Sequence, residues 1–198
     1  MLEGVQVSAD ADQWSWFPDS NGEFTVKSVK KLLLEEAGLR NDSVMEWCKW
    51  LPAKVNIHVW RSMSESIPTG EAHKKRNVLV GDSSCLLCNS ADETAEHLFT
   101  ACFTAATVWN GITSWCKISN IIAFSVKDLG IHNEIVGSER KKEAVKGIIS
   151  IACWSIWRAR NNVKFYNVPA RIENILSEVK ALGFLWFSNR SKHRGVEW

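Results

Sequence analysis

Charge of one sign is missing from this chain of 198 residues: 24 lysines and arginines stand against 22 aspartates and glutamates, a formal net charge of +2. Such a balance excludes the overall polycation that binds nucleic acid indiscriminately, so any contact with a polyanion must come from local grouping. Long apolar runs are also missing. The longest, Gly147 to Trp157, is too short to cross a bilayer, and the N-terminus lacks the basic, apolar and small-residue succession of a secretory signal. The sequence therefore predicts a soluble intracellular protein of nucleus or cytoplasm, not secreted and with no membrane partner. No Asp-Asp pair occurs, which excludes the paired carboxylates of a reverse-transcriptase palm. A P-loop and a nucleophile elbow are absent, and the acids after Asn120 form no RNase H set. The chain is expected to be non-catalytic.

What is present is enough to fold. Hydrophobic residues make up 45% of the chain, sufficient for a core in one domain or two small ones. The expected fold is mainly α with a small N-terminal β-hairpin: Trp14 and Trp16, then Phe24 and Val26, alternate as strands do around the turn-forming stretch Pro18 to Gly22. Helical spacing follows in Val29, Leu32, Leu33 and Ala37. Pro52 should end one short helix and open another, and Pro68 should start a helical piece through His73 and Arg76. Ser138 is placed to cap a long helix from Glu139, and Pro169 precedes a last helix with Ile172, Ile175, Leu176, Val179, Leu182 and Trp186 on one stripe. The reading gives a zinc-knuckle (CCHC) helical domain over residues 12–116, a linker over 117–138 and a C-terminal helical pair over 139–198.

Six cysteines without an export signal argue against a disulfide framework and leave free thiols or metal ligands. Cys48, Cys116 and Cys153 lie among apolar residues and read as core, and His58 as a structural histidine. Cys85, Cys88, His97 and Cys102 differ: they form C-x2-C-x8-H-x4-C within a few turns of chain. Three thiolates and one imidazole complete a zinc tetrahedron and leave no position for an activated water, which makes the expected Zn2+ structural. Five residues on one unbroken helix would set His97 and Cys102 about 140° apart, so a break near Thr100 and Ala101 is required. Glu93 or Glu96 could accept from the His97 ring.

With these residues the chain resembles the reverse-transcriptase zinc-binding domain of plant LINE-type (non-LTR) retrotransposon polyproteins. The resemblance covers roughly Asp12 to Trp115. It rests on Trp14-Ser15-Trp16, Phe24-Thr25-Val26-Lys27-Ser28, Trp47, Trp50, Pro52, Lys54, Trp60-Arg61, Ile67-Pro68-Thr69 and Arg76. Its metal motif runs through Cys85, Cys88, Glu93-Thr94, His97-Leu98-Phe99, Cys102 and Val108-Trp109. Leu86 and Phe103 stand where the family often has proline. The helix Trp154-Ser155-Ile156-Trp157-Arg158-Ala159-Arg160-Asn161 is similar to one that often follows this domain.

The resemblance implies a module that holds RNA or DNA while the polymerase part of the parent polyprotein copies it. Candidate contacts are Lys74, Lys75 and Arg76, then Arg158, Arg160 and Lys164, and near the end Arg190, Lys192 and Arg194. Interleaved acids leave simple solvated surface as an equal reading of these clusters. Most of the eleven tryptophans are expected in the core. The alternatives are a protein-interaction module and a functionless transposon remnant.

Overall fold

The structure, a computed structural model, describes residues 14–36, 45–78, 81–130 and 138–192. It divides into two compact units, Met1–Val44 and Met45–Trp198. Part of the linker expected at 117–138, residues 131–137, lies outside the described residues.

In the first unit the expected hairpin does not form. The turn closes, with Trp16 N–H donating to the Gly22 carbonyl at 2.9 Å and the Trp16 and Phe24 rings meeting edge to face at 5.0 Å. No strand extends from it among the described residues. Two isolated strands are marginal in water, and Val26 is claimed by a helix instead. Helix α1, Val26–Glu36, begins at a reciprocal cap. The Ser28 N–H donates to the Thr25 hydroxyl at 3.1 Å, and the Thr25 N–H donates to the Ser28 hydroxyl at 3.3 Å. Two backbone donors at the helix start are thereby met locally.

The second unit is helical: α2 (Ala53–Met63), α3 (Gly70–Lys75), α4 (Phe103–Cys116), α5 (Val126–Gly130), α6 (Glu139–Tyr166) and α7 (Ile172–Arg190). Pro52 opens α2 as expected, but Met45 to Trp50 is not helical. Asn56 satisfies that segment instead, accepting from Cys48 N–H at 3.0 Å and donating to the Cys48 carbonyl at 3.1 Å. Ser138 caps α6, its hydroxyl accepting from Lys141 N–H, and α6 runs about 42 Å to Asn167, which takes a left-handed φ of 52°.

Helices α6 and α7 pack along each other, and α6 also meets α2 and α4 while α7 meets α4. Ile148, Ile151, Ala152, Ile156 and Val179 are buried between them. Trp50 is fully buried, edge to face with Phe187 at 5.1 Å. It lies against Gly147, where an added Cβ would come within 1.9 Å of the indole, so only glycine admits the ring so close to α6. Cys48, Cys116, Cys153 and His58 are all buried. The tryptophans are less uniformly core than expected: Trp50, Trp109 and Trp157 are buried, but Trp14, Trp47 and Trp60 are exposed. No helix among the described residues is long and apolar enough to cross a membrane.

Candidate metal centre

The segment between α3 and α4 forms a narrow loop that folds back on itself. Glu93 N–H donates to the Ser83 carbonyl at 2.8 Å and Cys85 N–H to the Ala91 carbonyl at 2.8 Å, with a single antiparallel bridge at Ser84 and Asp92. Asn89, at φ 55°, turns the chain at the tip, a left-handed position that asparagine tolerates. Within the turn the Leu87 and Cys88 backbone N–H groups point at the Cys85 sulfur. Those of Ala105 and Thr104, at the start of α4, point at the Cys102 sulfur.

Beyond the loop, Thr94 caps a helical turn, its hydroxyl accepting from His97 N–H at 2.9 Å. The helix then widens. Over His97–Ala101 it takes the π form, closed by a 2.7 Å bond from Cys102 N–H to the His97 carbonyl five residues back. Cys102 itself is extended, with ψ 134°, and α4 starts at the next residue. The break expected near Thr100 and Ala101 thus falls at Cys102 and is preceded by a widened turn, which together bring near each other two ligands that an unbroken α-helix would set apart.

Among the described residues, Cys85, Cys88, His97 and Cys102 are the group of metal-ligating side chains brought together, with one ligand atom from each all lying within 4.8 Å of one another. The Cys85 and Cys102 sulfurs are 3.9 Å apart, close to the roughly 3.8 Å expected across a zinc tetrahedron with 2.3 Å bonds. Cys88 Sγ lies 3.1 Å from His97 Nε2. Cys102 is favoured as the thiolate, first by the hydrogen bond from the Cys85 thiol and then, against burial, by the backbone donors of Ala105 and Thr104. That hydrogen bond and burial push the Cys85 thiol up. A buried sulfur with preset N–H donors is a thiolate cradle, and the donor set fits a divalent zinc ion held by four protein ligands. Leu86 and Phe103 both project into solvent, so the positions where proline is absent do not disturb the cluster.

Glu93 does not serve the His97 ring, and Glu96 is exposed. Glu93 is 1% exposed and receives the Arg160 guanidinium from α6, itself 2% exposed, through Nε at 2.9 Å and through Nη2. The same carboxylate accepts from Gly70 N–H at 2.9 Å. Arg160 is therefore withdrawn as a nucleic-acid contact, because its charge is matched and its donors are buried. It fastens the metal loop to the long helix.

The other basic candidates reach solvent. Lys74, Lys75 and Arg76 are exposed; Arg158 is half exposed and paired with Glu178. Arg190 and Lys192 are exposed, and Arg194 lies outside the described residues. Lys164 lines a cavity of about 320 Å³ shared by α2, α3 and α6. Lys54, His58 and Arg61 on α2 and Trp154 on α6 also line it, and sequence reasoning missed them as a group. The signal was present: positions 54, 57, 58 and 61 share one helical face, as do 154, 157, 161 and 164.

A helical unit carrying a Cys3His cluster fits a zinc-binding class of module. Residues 24–109, from Phe24 to Trp109 and including all four cluster residues, match the family model described as zinc-binding in reverse transcriptase. That family is a zinc-binding domain and not a polymerase catalytic domain. No curated protein and no solved structure matches the chain.

Proposed function

We propose that the chain is a zinc-stabilised nucleic-acid-binding module from a LINE-type retrotransposon polyprotein of plant origin, itself non-catalytic, that holds RNA or DNA for the polymerase part. The observation supporting this is convergence. Lys54 and Arg61 from α2, His73 from α3 and Lys164 from α6 line one cavity, and no aspartate or glutamate lines it. The exposed Lys74, Lys75 and Arg76 continue directly from His73. Separate basic groups brought to one face provide the local field that overall composition lacks.

Phosphate contacts would make affinity fall steeply with salt. Binding of the zinc-loaded chain to labelled single-stranded RNA and DNA should weaken linearly in log salt, and each of Lys74→Gln, Lys75→Gln and Arg76→Gln should reduce the slope. Absence of binding to either at low salt sinks this reading. The exposed Phe184 and Leu185 on α7 favour a protein-interaction module as the second reading, and that reading gains if the only partner captured binds independently of salt.

A further inference from the structure

The cavity between α2, α3 and α6 combines two features that phosphate contacts alone do not require. Its walls are aromatic as well as basic. Lys54 Nζ lies 5.6 Å from the Trp154 ring centre and Lys164 Nζ lies 5.8 Å from that of Phe165, so each cation sits beside an aromatic face. Its charges are also uneven. Arg160 is matched by Glu93, and Arg61 spends one donor on the Ser66 carbonyl, a neutral acceptor, at 2.8 Å. The charges of Lys54, Arg61 and Lys164 are not balanced by any acid in the cavity wall. Burial, and then the nearby Arg160 charge, lower the Lys164 pKa, with Glu93 opposing. An added anion would relieve that field.

His58 Nε2 and His73 Nδ1 lie without a hydrogen-bond partner but are sealed beneath the wall, so they add no contact for an occupant. The Asn161 side-chain carbonyl accepts from Arg160 at 2.9 Å, which fixes the amide and leaves its NH2 as a donor. Ion pairing with Glu93 thus makes Arg160 a positioning residue for Asn161.

We propose that this cavity takes one unstacked nucleotide of a single strand, the base against Trp154 and Phe165 and the phosphate held by Lys54, Arg61 and Lys164. The inference rests on the nucleic-acid reading above and sharpens it. Size supports it, since the cavity lies at the lower end of small-ligand sites. So does chemistry, because bases stack on aromatic side chains in sequence-tolerant single-strand sites. A duplex keeps its bases stacked inside and offers one to a concave pocket only at the cost of unstacking and unpairing it.

The test uses the full zinc-loaded chain with three probes: a single-stranded oligonucleotide carrying one 2-aminopurine, its duplex, and adenosine monophosphate against inorganic phosphate. Phe165→Ala and Lys164→Gln are suitable variants because Phe165 is exposed and Lys164 is outside the core, and zinc content and thermal melting check their fold. The expected result is a fluorescence change of 2-aminopurine on binding. Phe165→Ala should weaken single-strand binding roughly 10-fold while leaving duplex binding unchanged. Equal effects on both strands' forms, or none, overturn the nucleotide cavity and leave the salt-sensitive module standing. Binding of adenosine monophosphate with no binding of either oligonucleotide assigns the cavity to a free nucleotide and overturns both. Absence of any binding overturns both as well.

Discussion

Met1–Val44 and Met45–Trp198 are both compact, but their hydrogen bonds reach different distances. In the first unit the described bonds are local: a turn closed at Trp16 and Gly22, and a helix cap between Thr25 and Ser28. Trp14 and Phe17 are 97% and 99% exposed. In the second unit the Glu93 and Arg160 pair and the buried Trp50 join segments far apart in sequence, and the first of these fastens the loop that carries the metal cluster to α6. Local bonds specify an element, whereas distant ones make a set of elements cooperative, so the second unit should lose its structure as a whole and the first should fray.

Removing zinc should separate the two most sharply. Structural zinc in small modules contributes on the order of 10 kcal/mol, comparable to the entire stability of a domain. Chelation, or Cys85→Ser, should therefore abolish the cooperative thermal transition of the second unit and its slow amide exchange, while the α1 amides change little. Identical melting with and without the metal would remove the structural role given to the cluster.

The buried ion pair comes next. Arg160→Met leaves the Glu93 carboxylate without its charge partner, and breaking such a pair costs about 3–5 kcal/mol. Glu93→Gln should be similarly damaging, and the double variant much less than additive. It should not recover fully where Gly70 N–H also loses its acceptor, as in Glu93→Leu with Arg160→Met. Additive losses in urea denaturation would show that the pair does not act as a unit.

Acid should act through His58. Burial, opposed by a hydrogen bond to the Cys153 backbone, lowers its pKa from 6.5 to about 4. The unfolded chain thus takes up a proton below pH 6.5 that the folded chain refuses until about pH 4. The stability from the neutral ring is fully present above pH 6.5 and is lost as pH falls through about 4, a change of about 3 kcal/mol. The His58 ring meets Phe99 and Trp154 edge to face and lies tilted against Trp157, so His58→Phe keeps an aromatic ring in place. Wild type and His58→Phe, both zinc-loaded, should diverge in urea midpoint between pH 6.5 and 4, and the difference cancels zinc loss common to both. Parallel curves would contradict the assignment.

The parts of this design legible in the sequence are those set by neighbours. The cysteine and histidine spacing indicated the cluster because a turn of a few residues brings two thiols together. Pro52 and Ser138 marked helix starts because capping is local. The π turn at His97 was visible only as a geometrical problem, since the α-helical angle between His97 and Cys102 is wrong. Arg160 was misread as surface because its partner, Glu93, lies 67 positions away and no local rule pairs them. The hairpin failed for the opposite reason. Alternation at Trp14, Trp16, Phe24 and Val26 was real, but it competed with an equally local helix cap.

That competition yields the smallest expected effect and the closest test of the comparison. Thr25→Ala removes the hydroxyl that accepts from Ser28 N–H, and loss of such a cap costs about 1 kcal/mol. In the second unit a loss of that size would be spread over a cooperative fold. In the first unit it should instead shorten α1 from its N-terminal end, because no described long-range bond holds Val26 or Lys27 in the helix. Residue-resolved amide exchange should show faster exchange confined to the first turn of α1, with the metal cluster and the second unit's melting unmoved. Val26, freed from the helix, would regain the alternating register with Phe24. A gain of extended structure at residues 24–26 would show that the cap alone decides between helix and strand there; its absence would mean that α1 is also held through contacts beyond its own sequence.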